Sequence, residues 1–371
     1  MTVRTPLTGP ERDALFEVGR AHGLDHIGSC PAREWTSVRG RLEAGRRTGT
    51  AATMEFTFRN PARSSDPRRV LRNAASLVVA ARGYAQSVDD TLRTVDDDPA
   101  GRPQARVARY ATADHYGRLR EGLGAVAAEL RSMGHRAVVV ADDNAIVDRE
   151  AAWRAGIGWY GKNSLLLVPG QGSWFVLGSV VTDVVIAAPA APVPDGCGGC
   201  TRCLDGCPTG AIVAPGVVDA RRCLAWLLQA PGTFPVEHRV ALGDRIYGCD
   251  DCQEVCPPNR TVELRSRRTD PWPVETDPGP HVDVLELLAL DDAALLERCA
   301  RWYVPGRDAR VIRRNLLVVL GNSGRGADPD VVECVERHRL SDEPIVAEHA
   351  TWAAERLRGG GVAHRSRIRQ L

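Results

Sequence analysis

Lysine is almost missing from this chain. Of 48 lysines and arginines a single one, Lys162, is lysine. A sequence that uses arginine at every other cationic position has kept an ammonium at one place, which calls for a functional reading. Net charge is small too, formally +1 at pH 7, so bulk charge argues neither for nor against a nucleic-acid partner. Long apolar runs are absent: no stretch approaches the roughly 18 residues that a membrane span needs. The opening "MTVRTPLTGPERDALFEVGR" also lacks the apolar core of a signal peptide. These absences lead to the expectation of a cytoplasmic protein with no membrane association. At 371 residues the chain is too long for one comfortable core, so two or three domains are expected.

Cysteine, by contrast, is plentiful, with 11 residues. A disulfide framework belongs to short secreted chains, whereas here seven cysteines sit in two bursts of a long one. Cys197, Cys200, Cys203 and Cys207 follow C-x2-C-x2-C-x3-C-P, the ferredoxin spacing in which three thiolates hold one [4Fe-4S] cube and the fourth reaches the other. Cys249, Cys252 and Cys256 repeat the pattern one cysteine short, and Cys223 supplies the missing thiolate. The crossed pattern assigns Cys197, Cys200, Cys203 and Cys256 to one cluster and Cys207, Cys223, Cys249 and Cys252 to the other. Tetrahedral zinc also takes C-x2-C pairs, but the x2, x2, x3-Pro spacing with a complementary second burst fits iron-sulfur better. Cys30, Cys299 and Cys334 are expected to be buried free thiols.

Around the cysteines the pattern alternates. "PERDALFEVGRAHGL" and "YGRLREGLGAVAAELRSMG" carry helical periodicity, the latter ending at Gly134, while "AASLVVAARGY", "HRAVVVAD" and "SWFVLGSVVTDVVI" read as strands. The expectation is an α+β protein: residues 1–190 as one domain, 191–265 as a ferredoxin-like domain, 280–358 as helices, and 359–371 as a basic tail. Residues 87–104 read as an exposed acidic loop, 188–196 as a linker and 268–280 as a second connector. Apolar residues return at helical spacing in "VDVLELLALDDAALLERCARW", "DARVIRRNLLVVLGNSG", "DPDVVECVERHRL" and "EPIVAEHATWAAERLR". The last three resemble paired helices of a HEAT-type repeat, too few for a free-standing solenoid and so expected to pack on the body. Arginine clusters at 263–268, at 307–314 and in the tail are candidate phosphate contacts, or equally solvated faces.

A ferredoxin module needs only some sixty residues, so what precedes it must do something else. In residues 141–184 a strand delivers Asp142, a short helix carries Asp148, Arg149 and Glu150, and a glycine-rich turn presents Lys162 and Asn163. Other readings stand beside the functional one. Asp142 or Asp143 can cap the following helix, Asp148, Arg149 and Glu150 can form a solvated ion-paired face, and Trp153 and Trp159 can be core.

With "GLDHIGSCPA", "RNPARSSDPRRVL", "ARYATADHYGRLR", "VDREAAWRAGIGWYGKNSLLL", "RIYGCDDCQEVCPPN" and "RRNLLVVLGNSG", nearly the whole chain resembles the epoxyqueuosine reductase family. The cysteine motifs alone are widely shared, and their combination with "GWYGKN" is much more specific. The resemblance implies a nitroreductase-like cobalamin domain, a double [4Fe-4S] domain and HEAT-like helices that help to hold the anticodon stem-loop of a tRNA. It implies Asp142 as the proton donor, and Arg63, Asp142, Asn163, Leu166, Leu177 and Asp250 as cobalamin contacts. It also implies a monomer fed by an external single-electron donor such as flavodoxin or ferredoxin. Two positions depart from the family pattern: Asp143 stands where a serine or threonine is common, and Asp114-His115-Tyr116 stands where D-Y-H is common. The alternatives are a cobalamin and iron-sulfur enzyme acting on another substrate, as a reductive dehalogenase does, and an electron carrier without cobalamin.

Overall fold

Residues 5–84, 101–189, 191–266 and 279–360 are described in the computed structural model of the chain. Most of the expected acidic loop, of the second connector and of the basic tail falls outside them, as do the side chains of the arginine cluster 263–268.

Four antiparallel strands form the sheet of the N-terminal part, in the order His26–Pro31, Ser76–Gly83, Phe175–Thr182 and Ala137–Ala141. The two central strands, "SLVVAARG" and "FVLGSVVT", are near-continuous apolar runs because helices cover both faces of the sheet. Side chains alternate across the pleat. Val78 and Ala80 join Leu15, Phe16, Leu119 and Leu123 on one face. Leu77 and Val79 join Trp35, Val38, Leu42 and Ala151 on the other. Of the helices supplying these residues, Gly9–Ala21 and His115–Ser132 on the first face lie close to where periodicity put them and Asp148–Arg154 on the second was also expected, whereas Thr36–Thr48 was not.

Glycine has a positional reason at 178. A Cβ there would stand 2.7 Å from the Leu123 side chain and 2.8 Å from the Ala141 Cβ. Its absence lets the helix His115–Ser132 seat where the strand Ala137–Ala141 ends. That helix starts at Asp114, whose Oδ1 accepts from Gly117 N at 2.7 Å. Asp114 is thus a cap, and His115 is buried, its imidazole pushed down to about 4 chiefly by burial.

The second sheet joins distant parts of the chain. Gln104–Val107 lies in its middle, parallel to Arg245–Tyr247 and antiparallel to His281–Asp283. Residue 104, expected in a loop, therefore opens a central strand. The C-terminal helices Ala309–Asn322, Pro329–Arg339 and Pro344–Arg358 pack on the body as expected. Leu316, Leu320, Val335 and Ala350 share one core with Leu224, Leu227, Phe234 and Ile246. The apolar run at 282–302 is two helices, Val284–Ala289 and Asp292–Arg298, because Asp291 Oδ1 accepts from Ala294 N at 2.8 Å and starts the second.

The arginines of 307–314 have partners within the chain. Arg310 pairs with Asp308 and Glu343, both at 2.9 Å, and Arg313 pairs with Asp292 at 2.8 Å. Arg307 donates to Leu296 O at 2.7 Å. Arg314 is fully buried and donates to the carbonyls of Leu227 at 2.8 Å, Ala230 at 2.6 Å and Gly232, fastening the helical part to the segment after Cys223. Replacing it by methionine roughly keeps the volume but orphans one buried and two partly buried carbonyls. Arg314→Met is expected to lower unfolding free energy by about 3 kcal/mol or more, read by denaturant titration. A loss under about 1 kcal/mol would mean that water replaces the guanidinium there.

Candidate functional site

All eight motif cysteines are free thiols, and their mutual influence divides them. Burial raises Cys203, and the thiols that raise it further are Cys197 and Cys200. Cys256 is pushed up to about 11, first by burial, then against the backbone bond from Asn259 by Cys197, Cys203 and Cys200. On the other side burial raises Cys223, with Cys207 adding to it. Cys252 is raised by burial and then by Cys223 and Cys207 among its neighbours, while Cys249 is raised by burial with Cys252 contributing. In each case the thiols that act on one another belong to a single one of the two expected sets of four. Neighbouring thiolates would repel one another, so without a metal these groups stay protonated, and a cationic iron core removes that repulsion. Among the described residues no three thiols, imidazoles or carboxylates close on a single-ion geometry. A cube that takes one thiolate per corner does not need them to.

Local backbone prepares each set. Ala211 N donates to Cys207 Sγ at 3.1 Å, and the N–H groups of Trp226 and Ala225 lower Cys223 against the effect of its burial. Such N–H···S bonds tune cluster potentials. Cys249 Sγ stands 3.0 Å from Asp251 Oδ2, and Asp251 is paired at 2.6 Å with buried Arg245. Burial acts to raise the Asp251 carboxyl, yet Arg245 and Arg106 outweigh it and hold it below the usual range. Cys197, Cys200, Cys203 and Cys256 line a cavity of about 420 Å³ together with Trp159 and Lys162. The Trp159 indole N–H is buried there with no partner among the described residues, so this tryptophan is cavity wall as well as core.

Asp142 leaves the end of the strand Ala137–Ala141 with φ of 54°, a left-handed conformation that aspartate tolerates at a cost in strain. Asp143, not Asp142, serves the local turn, its Oδ1 accepting from Ala145 N at 2.7 Å. Neither caps the helix, which begins after Val147 without a side-chain cap. The Asp142 side chain is 51% exposed, with Arg120 Nη2 at 4.0 Å. Partial burial still raises its carboxyl above the usual range, opposed by Arg120 and reinforced by Asp143.

A band of tyrosines links this carboxyl to the second thiol set. Asp250, beside Cys249 and Cys252, is buried and pushed up to about 6, chiefly by burial. Its Oδ2 accepts from Arg109 N at 2.8 Å and its Oδ1 from Gln253 Nε2 at 2.9 Å. Asp250 acts electrostatically on Tyr84 and Tyr110, both of which also feel Tyr116, and Tyr116 in turn feels Asp142 and Asp148. Of the Asp114-His115-Tyr116 departure, Tyr116 belongs to this group and His115 packs on Tyr84, ring centroids 5.4 Å apart, while Asp114 caps its helix. Gln253 also receives a hydrogen bond from Ser173 Oγ at 2.9 Å, and Asn259 bridges Ser173 N at 2.6 Å and Gln253 O at 2.9 Å. Spacing gave no sign of this band or of the Ser173–Asn259 bridge, because their residues come from separate segments.

The remaining expected positions scatter. Asn163 donates to Cys252 O at 3.4 Å and lines the cysteine cavity. Leu166 and Leu177 lie in one core beneath the sheet. Arg63 is exposed on the short helix Pro61–Ser64, whose Ser64 Oγ donates to Asn144 O at 2.6 Å and so ties it to the turn after Asp142. Glu150 corrects the solvated-face reading: it is buried, bound at 2.8 Å to Arg154 and at 3.1 Å to the Tyr160 hydroxyl. Cys30, Cys299 and Cys334 are buried free thiols, as expected. No helix among the described residues is long and apolar enough to cross a membrane.

Known proteins align with this arrangement. Residues 196–259 match the 4Fe-4S double cluster binding domain family. Epoxyqueuosine reductase of Vibrio cholerae is 32% identical, covering 90% of this chain and 88% of that one. The Xanthomonas campestris enzyme of the same name is 35% identical, covering 82% and 84%. Two solved structures span 93% of this chain and 90% of their own: an epoxyqueuosine reductase with an epoxyqueuosine-modified tRNA-Tyr stem loop, at TM-score 0.80 and 28% identity, and the Bacillus subtilis enzyme with its catalytic aspartate loop swung out of the active site, at 0.81 and 29%. This end-to-end similarity, together with the double-cluster match over the cysteine bursts, places the chain in the epoxyqueuosine reductase family.

Proposed function

We propose that this chain reduces epoxyqueuosine to queuosine at the wobble position of a tRNA anticodon, using two [4Fe-4S] clusters and cobalamin. The observation that carries the reading is the four-and-four grouping of thiols behind a raised, strained Asp142. In this reading residues 1–190 are a nitroreductase-like cobalamin domain, 191–265 the double-cluster domain, 280–358 a HEAT-like domain and 359–371 a basic tail. The protein works in the cytoplasm as a monomer, fed by flavodoxin or ferredoxin.

The net change adds two electrons and two protons and releases the epoxide oxygen as water. Clusters supply single electrons and cobalamin a strongly reducing centre for opening the ring. The eight thiolates hold the former. For the latter, the residues present fit a large apolar macrocycle rimmed with amides. Asp148 Oδ1 is a buried acceptor with no partner among the described residues, and burial, followed by Asp142, raises its carboxyl well above the usual range. Asn163, Arg63 and Asp250 offer further polar contacts, and Leu166 and Leu177 apolar ones. Asp142 keeps its proton to higher pH than an ordinary carboxyl and gives it to the departing oxygen. A base in an anticodon loop is already poorly stacked, so splaying it out to reach Asp142 is affordable.

Nucleosides from the tRNA of a host strain lacking the gene are expected to accumulate the epoxide, as read by mass spectrometry. An unchanged profile would remove the queuosine role.

A further inference from the structure

Lys162, the single lysine of the chain, is not free at the surface. Its Nζ donates to Gly198 O at 2.7 Å and to Cys200 O at 2.8 Å, so the ammonium clamps the loop that carries two thiols of the first set. Lys162 also lines the cavity between Cys197, Cys200, Cys203 and Cys256. Its own backbone is fixed: Lys162 O accepts from Gly216 N at 2.9 Å, and Ser164 Oγ donates to Gly216 O at 2.7 Å. Gly216 stands in the turn between Ile212–Ala214 and Val217–Val218, just after Cys207 of the second set. The next residue, Asn163, reaches Cys252 O of that set. Two adjacent side chains therefore hold peptide groups of both thiol sets. One of the two carries a full charge.

We propose that Lys162 is a positioning residue of the first cluster, clamping the 197–200 loop around it and holding a fixed positive charge that raises its reduction potential relative to the second. The inference rests on the double-cluster reading above. A cube with four thiolate ligands becomes more negative on reduction, and a cation held against it favours that state. A lysine ammonium suits the task because it is a compact point charge with three donors, two of which the carbonyls take.

The test is a potentiometric titration followed by electron paramagnetic resonance on the anaerobically reconstituted full chain. Wild type without iron would defeat the double-cluster reading itself, which separates that failure from this one. In Lys162→Gln and Lys162→Met, one midpoint is expected to fall by at least a factor of ten in the one-electron equilibrium constant, 59 mV for n = 1. The other midpoint stays in place. Loss of iron from one cluster alone, at unchanged far-ultraviolet dichroism, is the clamp failing outright and supports the proposal too. Two midpoints at wild-type values in either neutral variant, or both shifted equally, would overturn it. Should the neutral variants misfold, Lys162→Arg decides: it keeps the charge, so a midpoint held at the wild-type value supports the proposal and a tenfold fall overturns it.

Discussion

Asp142→Asn is expected to lower turnover of epoxyqueuosine in tRNA by two to four orders of magnitude, about what a positioned general acid contributes, while iron content and corrin binding stay at wild-type levels. Asparagine is the informative replacement. It tolerates the left-handed backbone at this position, φ 54°, whereas alanine would add strain to the loss of the carboxyl. The pH profile carries a second readout. Partial burial raises Asp142 above the ordinary carboxylate range and Arg120 opposes it. Its protonated form is populated below that raised value, so turnover falls as pH climbs through it. In the variant this arm of the profile vanishes along with most of the rate. Turnover retained in Asp142→Asn would take the proton-donor role away from this residue.

Removing one thiol from each burst should resolve the crossing of the clusters more sharply than any spectrum. Two 4Fe-4S groups carry eight irons. Cys252→Ala is expected to leave four, and Cys207→Ala, although it lies in the other burst, to leave the same four. The double variant Cys207→Ala/Cys252→Ala should then bind no less iron than either single one, because both remove ligands of one cube. Cys203→Ala/Cys252→Ala takes one ligand from each set and is expected to lose nearly all the iron. If Cys207→Ala/Cys252→Ala also lost nearly all the iron, each burst would hold its own cube and the grouping of Cys252 with Cys207 and Cys223 would be incidental.

The cysteines were legible because ligand spacing is a local constraint. A thiolate two residues from the next reaches an adjacent corner of a cube whatever the rest of the chain does. The sheet was legible because Ser76–Gly83 and Phe175–Thr182 are so continuously apolar that only burial on both faces accounts for them. Charged residues were much less so. Helical periodicity identifies a face but not its partner, so Arg310, Arg313 and Arg314 look like one basic stripe in sequence and prove to be two ion-paired side chains and one buried clasp. Glu150 hides for the same reason, since its partners Arg154 and Tyr160 become visible only once the helix is seated. The choice between Asp142 and Asp143 turns on which one bonds Ala145 N, a matter of backbone geometry that composition does not encode. Tyr84, Tyr110 and Tyr116 are ordinary aromatic residues until the fold brings Tyr84 and Tyr110 under the influence of Asp250 and Tyr116 under that of Asp142.

The strand Gln104–Val107 has one neighbour at Arg245–Tyr247 and another at His281–Asp283. During synthesis it leaves the ribosome long before either, and it must wait with both edges unsatisfied until most of the polypeptide has emerged. Maturation of the iron-bearing region is thereby tied to completion of translation, so a prematurely terminated product would expose a sticky edge instead of a usable fragment.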